Sequence, residues 1–306
     1  MHLSFFNHQE IIIEPIVGFG HDFLFIKRED QIHPFVSGNK FRKLKYNVAQ
    51  LKADGLQGIL TFGGAFSNHI AAVAAFGKLS GIKTIGIIRG EELQSQINEN
   101  PTLKFAYENE MVFQFISREN YRLKNEPSFL ASLQEKYPKY LIVPEGGTNE
   151  LAVKGCEEIL TKEDADFDFI VCCVGTGGTI SGIINSALPH QKVLGFPALK
   201  EDFLQKDISK FARNKNWELI RDYHFGGYGK VTNELVQLIN HFHETTKIPL
   251  DPIYTGKMVF GVIDLIQKNY FKPHHKILII HSGGLQGIEG YNRYRKQGQE
   301  KINNNV

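Results

Sequence analysis

Two rhythms of apolar residues alternate along this chain. Gly58-Ile59-Leu60-Thr61-Phe62, Lys83-Thr84-Ile85-Gly86-Ile87-Ile88, Met111 to Ile116, Tyr140 to Pro144, Phe167 to Val174, Lys192 to Phe196 and Lys276 to His281 are short apolar runs rich in β-branched residues. Each predicts a strand. The runs are continuous rather than alternating, which is the pattern of strands buried on both faces. Between them lie stretches with helical spacing, such as Ile70-Ala71-Ala72-Val73-Ala74-Ala75-Phe76. Strand and helix in turn predict an α/β fold with a mainly parallel sheet flanked by helices.

A helix is also predicted where the turn-forming stretch Ser37-Gly38-Asn39-Lys40 runs into Phe41. Phe41, Leu44, Val48 and Leu51 share one face at i, i+3, i+7 and i+10. Lys40, Lys43 and Asn47 fall on another. The turn Ser37-Gly38 leads straight into Lys40, so two amines stand one turn apart near a helix start. One could act as a nucleophile toward a carbonyl and the other could hold a phosphate.

Pro144-Glu145-Gly146-Gly147-Thr148-Asn149 is turn-rich and reads as a hinge. A second crossing near Leu51–Gly58 would make residues 52–150 a small α/β domain inserted into a larger one, 1–51 and 151–306. Internal repeats and low-complexity stretches are absent.

Three glycine turns follow strands and open helices. Val174-Gly175-Thr176-Gly177-Gly178-Thr179 lacks the third glycine of a dinucleotide fingerprint, since Ile180 stands there. It also lacks the lysine of a P-loop, since Gly182 is followed by Ile183. A compact phosphate cup remains, with backbone amides and the Thr176 and Thr179 hydroxyls as donors. Gly63-Gly64-Ala65-Phe66-Ser67-Asn68-His69 is the second turn, with Ser67 as a helix N-cap. His281-Ser282-Gly283-Gly284 is the third. Tyr223 to Tyr228 and Ile253 to Met258 add two aromatic-rich turns.

Composition narrows the classes. The 306 residues carry 35 basic and 33 acidic side chains, a formal net charge of +2. Such a balance gives no footprint for nucleic acid or a membrane surface, and no apolar run is long enough to span a bilayer. Metal-ligand spacing is absent, and the three cysteines, Cys156, Cys172 and Cys173, read as small buried residues in a reducing compartment. Met1 to His8 lacks the basic-then-apolar order of an export leader, so the expected location is cytoplasmic.

These blocks, in this order, resemble the fold-type II pyridoxal-phosphate enzymes, whose architecture is like that of the tryptophan synthase β subunit. Within them the chain is similar to the 1-aminocyclopropane-1-carboxylate deaminase and D-cysteine desulfhydrase family. The likeness runs from Phe25-Ile26-Lys27-Arg28-Glu29-Asp30 to Gly287 and is sharpest at Ser37–Lys40 and Tyr254-Thr255-Gly256-Lys257-Met258. It implies pyridoxal 5'-phosphate as cofactor, a small amino acid as substrate and a homodimer. Lys40 matches the lysine that binds the cofactor as a Schiff base, and Lys43 the cation beside its phosphate. Gly175, Thr176, Gly177, Gly178 and Thr179 match the phosphate cup, and Asn68 the donor to the 3' oxygen. Ser67 matches the serine near the substrate carboxylate and α carbon. Tyr228 and Tyr254 match the aromatic pair facing the cofactor. Ser67, Asn68, His69 and Thr255 are the expected substrate contacts, and Ser282 a further cofactor contact.

The chain departs from the cyclopropane deaminases at two positions. Their pattern has Glu after the second tyrosine and Leu at the third glycine turn, where this chain has Thr255 and Ser282. A carboxylate beside the pyridine nitrogen keeps it protonated, and a hydroxyl does not. The Thr/Ser pair resembles the desulfhydrase branch. The expected reaction is α,β-elimination, from D-cysteine to pyruvate, ammonia and sulfide. Deamination of the cyclopropane acid is the alternative, then a racemase or other D-amino-acid lyase. A non-catalytic binding module on the same fold is the reading from another class.

Overall fold

The computed structural model describes residues 4–7, 10–200, 203–295 and 300–303. The strands are β1 (Ile13–Pro15), β2 (Leu24–Lys27), β3 (Gly58–Gly63), β4 (Lys83–Arg89), β5 (Val112–Ile116), β6 (Tyr140–Val143), β7 (Phe169–Val174), β8 (Lys192–Pro197), β9 (Trp217–Leu219) and β10 (Ile277–Ile280). They form two sheets. One has six strands in the order β1-β2-β10-β7-β8-β9, the other four in the order β5-β4-β3-β6. The pairing is parallel everywhere except between β1 and β2. The fold is therefore α/β and parallel-rich, as the continuous apolar runs imply. β3 to β6 all lie within residues 52–150, and the other six strands lie outside them.

Four helices bear on the site: α1 (Asn39–Ala53), α2 (Asn68–Ser80), α3 (Gly178–Ser186) and α4 (Thr255–Gln267). Phe41, Leu44, Val48 and Leu51 of α1 are buried, as their spacing requires. They pack with Ile59 of β3 and with Ile70, Val73 and Phe76 of α2. The other face is buried too: Lys43 is only 3% exposed, and Asn47 is buried beside it. Both point at the segment 146–149, where Asn149 Nδ2 donates to Asn47 Oδ1 at 2.7 Å.

Behind α1 lies a buried ion network. Arg42 binds Glu29 through two contacts of 2.9 and 2.8 Å, and Arg28 grips Asp30 through two of the same lengths. The Glu29 carbonyl accepts from the Gly38 amide at 3.0 Å. The turn that delivers Lys40 is thus tied to the end of β2. Removing one partner of such a buried pair strands a charge and costs about 3–5 kcal/mol.

Candidate active site

The C-terminal ends of β3, β7 and β10 converge with the start of α1. Gly38 has φ 57 and its backbone presses on the third glycine turn: a Cβ there would fall 1.9 Å from the Ser282 carbonyl oxygen. Only glycine allows that approach. The Asn39 amide donates to the same carbonyl at 3.2 Å. Lys40 Nζ follows, donating to Asn39 Oδ1 at 2.9 Å, and Asn39 Nδ2 donates to Thr179 Oγ1 at 2.8 Å. The Lys40 amine is desolvated, which lowers its pKa below the ordinary lysine value.

Lys43 donates to the Gly146 carbonyl at 2.9 Å and to Thr148 Oγ1 at 3.2 Å. Burial, reinforced by the nearby Lys40 charge, brings its pKa down to about 7. Thr148 and Thr176 share a 2.6 Å hydrogen bond. A Cβ at Gly178 would meet Lys43 Nζ at 3.2 Å and Thr148 Oγ1 at 2.7 Å, so the first residue of α3 sits directly against the amine. The N-cap of α3 is Gly177, at φ 86, with no side-chain cap. The amides of Thr176 to Ile180 have no hydrogen-bond partner among the described residues. A row of open amides, two bonded hydroxyls and a buried amine fit a phosphate, so the residues present suit the cofactor that the sequence implies.

At the start of α2, Ser67 Oγ accepts from the Ile70 amide at 3.3 Å. The Asn68 and His69 amides have no partner among the described residues. Asn68 reaches the third glycine turn, where a Cβ at Gly284 would lie 2.5 Å from Asn68 Nδ2. The His69 ring goes elsewhere. Thr61 Oγ1 donates to the Val143 carbonyl at 2.8 Å, so the 2.8 Å contact with His69 Nε2 requires that nitrogen to donate. His69 is buried, and its pKa is held well below the ordinary value by burial and then by the two lysines. What it offers at the helix start is its backbone amide.

Tyr228 and Tyr254 stand edge to face, their ring centroids 6.2 Å apart. A Cβ at Gly175 would meet the Tyr254 ring at 3.2 Å, which places that tyrosine against the glycine cup. Burial, then the neighbouring Tyr228, raises the Tyr254 pKa well above the ordinary value.

The two hydroxyls differ. Thr255 is 0% exposed. Its Oγ1 donates to Asp251 Oδ2 at 2.7 Å and accepts from the Asp251 amide at 2.9 Å. That proton is committed, so Thr255 has none for a second acceptor. Ser282 Oγ lies 3.1 Å from Cys173 Sγ and, among the described residues, carries no bond to a carboxylate. The Asp251 carboxylate, bonded to Thr255 and to the amides of Ile253, Tyr254 and Thr255, is saturated.

Asn39, Gly146, Thr148, Cys173 and Asp251 were not singled out as site residues from the sequence. Thr148 was visible only as part of a hinge. Asp251 carried one signal: it precedes Pro252, an Asp-Pro pair that favours the start of a turn. Among the described residues no group of three or more His, Cys, Asp or Glu could hold a metal.

The comparisons agree with this geometry. The pattern of pyridoxal-phosphate dependent enzymes matches residues 15–283. A bifunctional D-cysteine desulfhydrase/1-aminocyclopropane-1-carboxylate deaminase of Arabidopsis thaliana is 30% identical over 294 residues, 87% of this chain and 73% of that protein. The crystal structure of an ACC deaminase homologue superposes with a TM-score of 0.77 at 28% identity, covering 92% of this chain and 91% of the other. Maize serine racemase, at 17% identity and a TM-score of 0.64, shares the fold. The class is that of fold-type II enzymes dependent on pyridoxal phosphate. Within it, this chain belongs to the family of 1-aminocyclopropane-1-carboxylate deaminases and D-cysteine desulfhydrases. No helix among the described residues is long and apolar enough to cross a membrane.

Proposed function

We propose that this enzyme cleaves D-cysteine by α,β-elimination, so that D-cysteine and water give pyruvate, ammonia and sulfide. Pyridoxal phosphate supplies an electron sink that acidifies the substrate α carbon. Lys40 would attach it, and Lys43, Thr148, Thr176, Thr179 and the open amides of α3 would hold its phosphate. Asn68 would donate to its ring oxygen, and the Ser282 hydroxyl would be the partner offered to its ring nitrogen. The Asn68 and His69 amides, with Ser67, hold the substrate carboxylate. Lys40 takes the α proton, because its lowered pKa favours a free amine. Tyr254, whose pKa is raised, keeps its proton and donates it to the leaving sulfur, with Tyr228 beside it.

The observation that carries the choice of substrate is the pair of hydroxyls. Ser282 is a hydroxyl, and the nearby Asp251 carboxylate is saturated by four donors. An unprotonated ring nitrogen is a weaker sink. It suffices for a thiolate leaving group but not for opening a cyclopropane, which has none. The site lies between two lobes, residues 1–51 with 151–306 and residues 52–150. The protein works as a homodimer in the cytoplasm, a reading supported by family resemblance and by three unpaired buried cysteines.

Two measurements test this. Borohydride reduction of the cofactor-loaded protein, followed by peptide mapping, places the label on Lys40, and a label on Lys257 would overturn the assignment. Pyruvate release from D-cysteine exceeds 2-oxobutanoate release from the cyclopropane acid by about tenfold or more, which is about 1.4 kcal/mol of barrier. A protein that deaminates the cyclopropane acid faster refutes the choice, and one that takes up no cofactor is a binding module.

A further inference from the structure

Lys257 is 2% exposed, and it forms no ion pair among the described residues. Burying an ammonium without a carboxylate is costly. The nearest acidic influence on it is Asp251, whose oxygens are already bonded to four donors. The Lys257 amine instead donates to two carbonyls of one turn, His224 at 3.0 Å and Gly227 at 2.9 Å.

That turn needs holding. Phe225 has φ 55, an unfavourable value for a side chain of that size, and Gly226, Gly227 and Gly229 follow at 93, 118 and 72°. Its internal bonds are few: Gly227 N–H to the His224 carbonyl at 3.0 Å, Gly226 N–H to His224 Nδ1 at 2.9 Å and Lys230 N–H to the Gly227 carbonyl at 3.2 Å. The remaining grip comes from one face of α4. Phe260 meets Phe225 edge to face at 4.9 Å, and Asp264 accepts from the Tyr223 hydroxyl. Lys257, Phe260 and Asp264 are spaced i, i+3 and i+7, a single helical stripe. The next residue after Gly227 is Tyr228, which is 45% exposed and whose ring leans on Tyr254 at the start of the same helix. One helix therefore carries one tyrosine and holds the turn that presents the other.

We propose that Lys257 is the positioning residue for Tyr228: its buried ammonium clamps the His224 and Gly227 carbonyls and so fixes the aromatic pair over the site. The catalytic meaning of this clamp rests on the proposed role of Tyr228, but the clamp itself does not. An ammonium suits the task because it is compact and presents three donors that converge on neighbouring carbonyls. Its lowered pKa, about 8, reflects the desolvation that the clamp tolerates.

The test uses the cofactor-loaded protein and the variants Lys257→Met, Tyr228→Phe and the double variant. Amide hydrogen exchange across 224–230 rises by about tenfold or more in Lys257→Met, while exchange in β7 and in the interior of α4 stays as in the parent. Cofactor retention is unchanged. For elimination, kcat falls in both single variants while KM moves little, and the double variant is no slower than the worse single. Lys257→Gln, which keeps an N–H donor, recovers part of the exchange protection, and it carries the test if the methionine variant does not fold. Unchanged exchange in 224–230, or kcat losses that multiply in the double variant, overturn the proposal. Absence of turnover in the parent refutes the elimination reaction instead and leaves the exchange result to decide the clamp.

Discussion

The two glycine turns at the ends of β7 and β3 look alike in sequence and behave differently. Each follows a parallel strand and opens a helix. The β7 turn has glycine at the N-cap and five amides without partners among the described residues. It also has a buried amine against its first helical residue. The β3 turn has Ser67 as a true cap, which takes the Ile70 amide and leaves two amides open. Among the described residues no lysine donates to it. The difference teaches that the number of uncapped amides and the presence of a cation select the anion. Five donors and an ammonium suit a phosphate, and two donors and a hydroxyl suit a carboxylate.

The largest way to break the comparison is Gly177→Asp. The position is left-handed, and a Cβ would already sit 3.0 Å from Ile208. Losing two amide bonds to a charged phosphate, at about 1.5 kcal/mol each, weakens cofactor binding about hundredfold. The cofactor should be lost on dialysis while the circular dichroism spectrum keeps its helical shape. Retained cofactor would show that the cup is elsewhere.

A smaller effect sharpens the role of the cation. Lys43 has a pKa of about 7 in the free site. A bound phosphate favours its charged form, so binding takes up a proton whenever the pH lies above that value. Affinity for inorganic phosphate should therefore be greatest near pH 7 and fall as the pH rises. The sign follows from the depressed pKa: the ammonium is already present below 7 and must be made above it. Calorimetry in two buffers of different ionisation heat detects the uptake, and equal heats at about pH 8.5 would count against Lys43 as the phosphate's cation. The same depression makes the cofactor-free protein lose stability as the pH falls from the ordinary lysine range toward 7, because folding then has to strip a proton that the unfolded chain holds.

The smallest effect belongs to Ser67→Ala. Loss of the cap costs about 1 kcal/mol of stability. KM for the amino acid should rise while cofactor retention stays the same, since the two turns hold different groups. A variant that loses cofactor as readily as Gly177→Asp would erase the distinction.

Much of this was legible in the sequence because it depended on local pattern. The apolar runs marked β3 to β8 and β10 and the apolar face of α1, and glycines marked the turns. β1, β2 and β9 escaped: β1 and β9 are edge strands of three residues with little apolar content, and β2 is an interior strand of only four residues ending in Lys27, too short a run to signal by pattern. The buried state of Lys43 escaped because periodicity describes one helix and not what arrives on its other side. Thr148 and Cys173 joined the site through contacts between distant segments, which spacing cannot reveal. The Thr255 hydroxyl was legible as a residue but not as a bond. Its residue type suggested an outward donor, and Asp251 had already claimed the proton.

The contact between Gly38 and Ser282 has a consequence for biosynthesis. The lysine-bearing helix begins near the start of the chain, and the backbone it rests on belongs to the last strand and the turn after it. A ribosome that has made Lys40, Lys43 and even the glycine cup has not yet made the wall behind them. Nascent chains ending before β10 therefore lack a closed site. Cofactor capture is expected only after release of the C-terminal residues, so prematurely terminated copies should neither sequester pyridoxal phosphate nor react with amino acids.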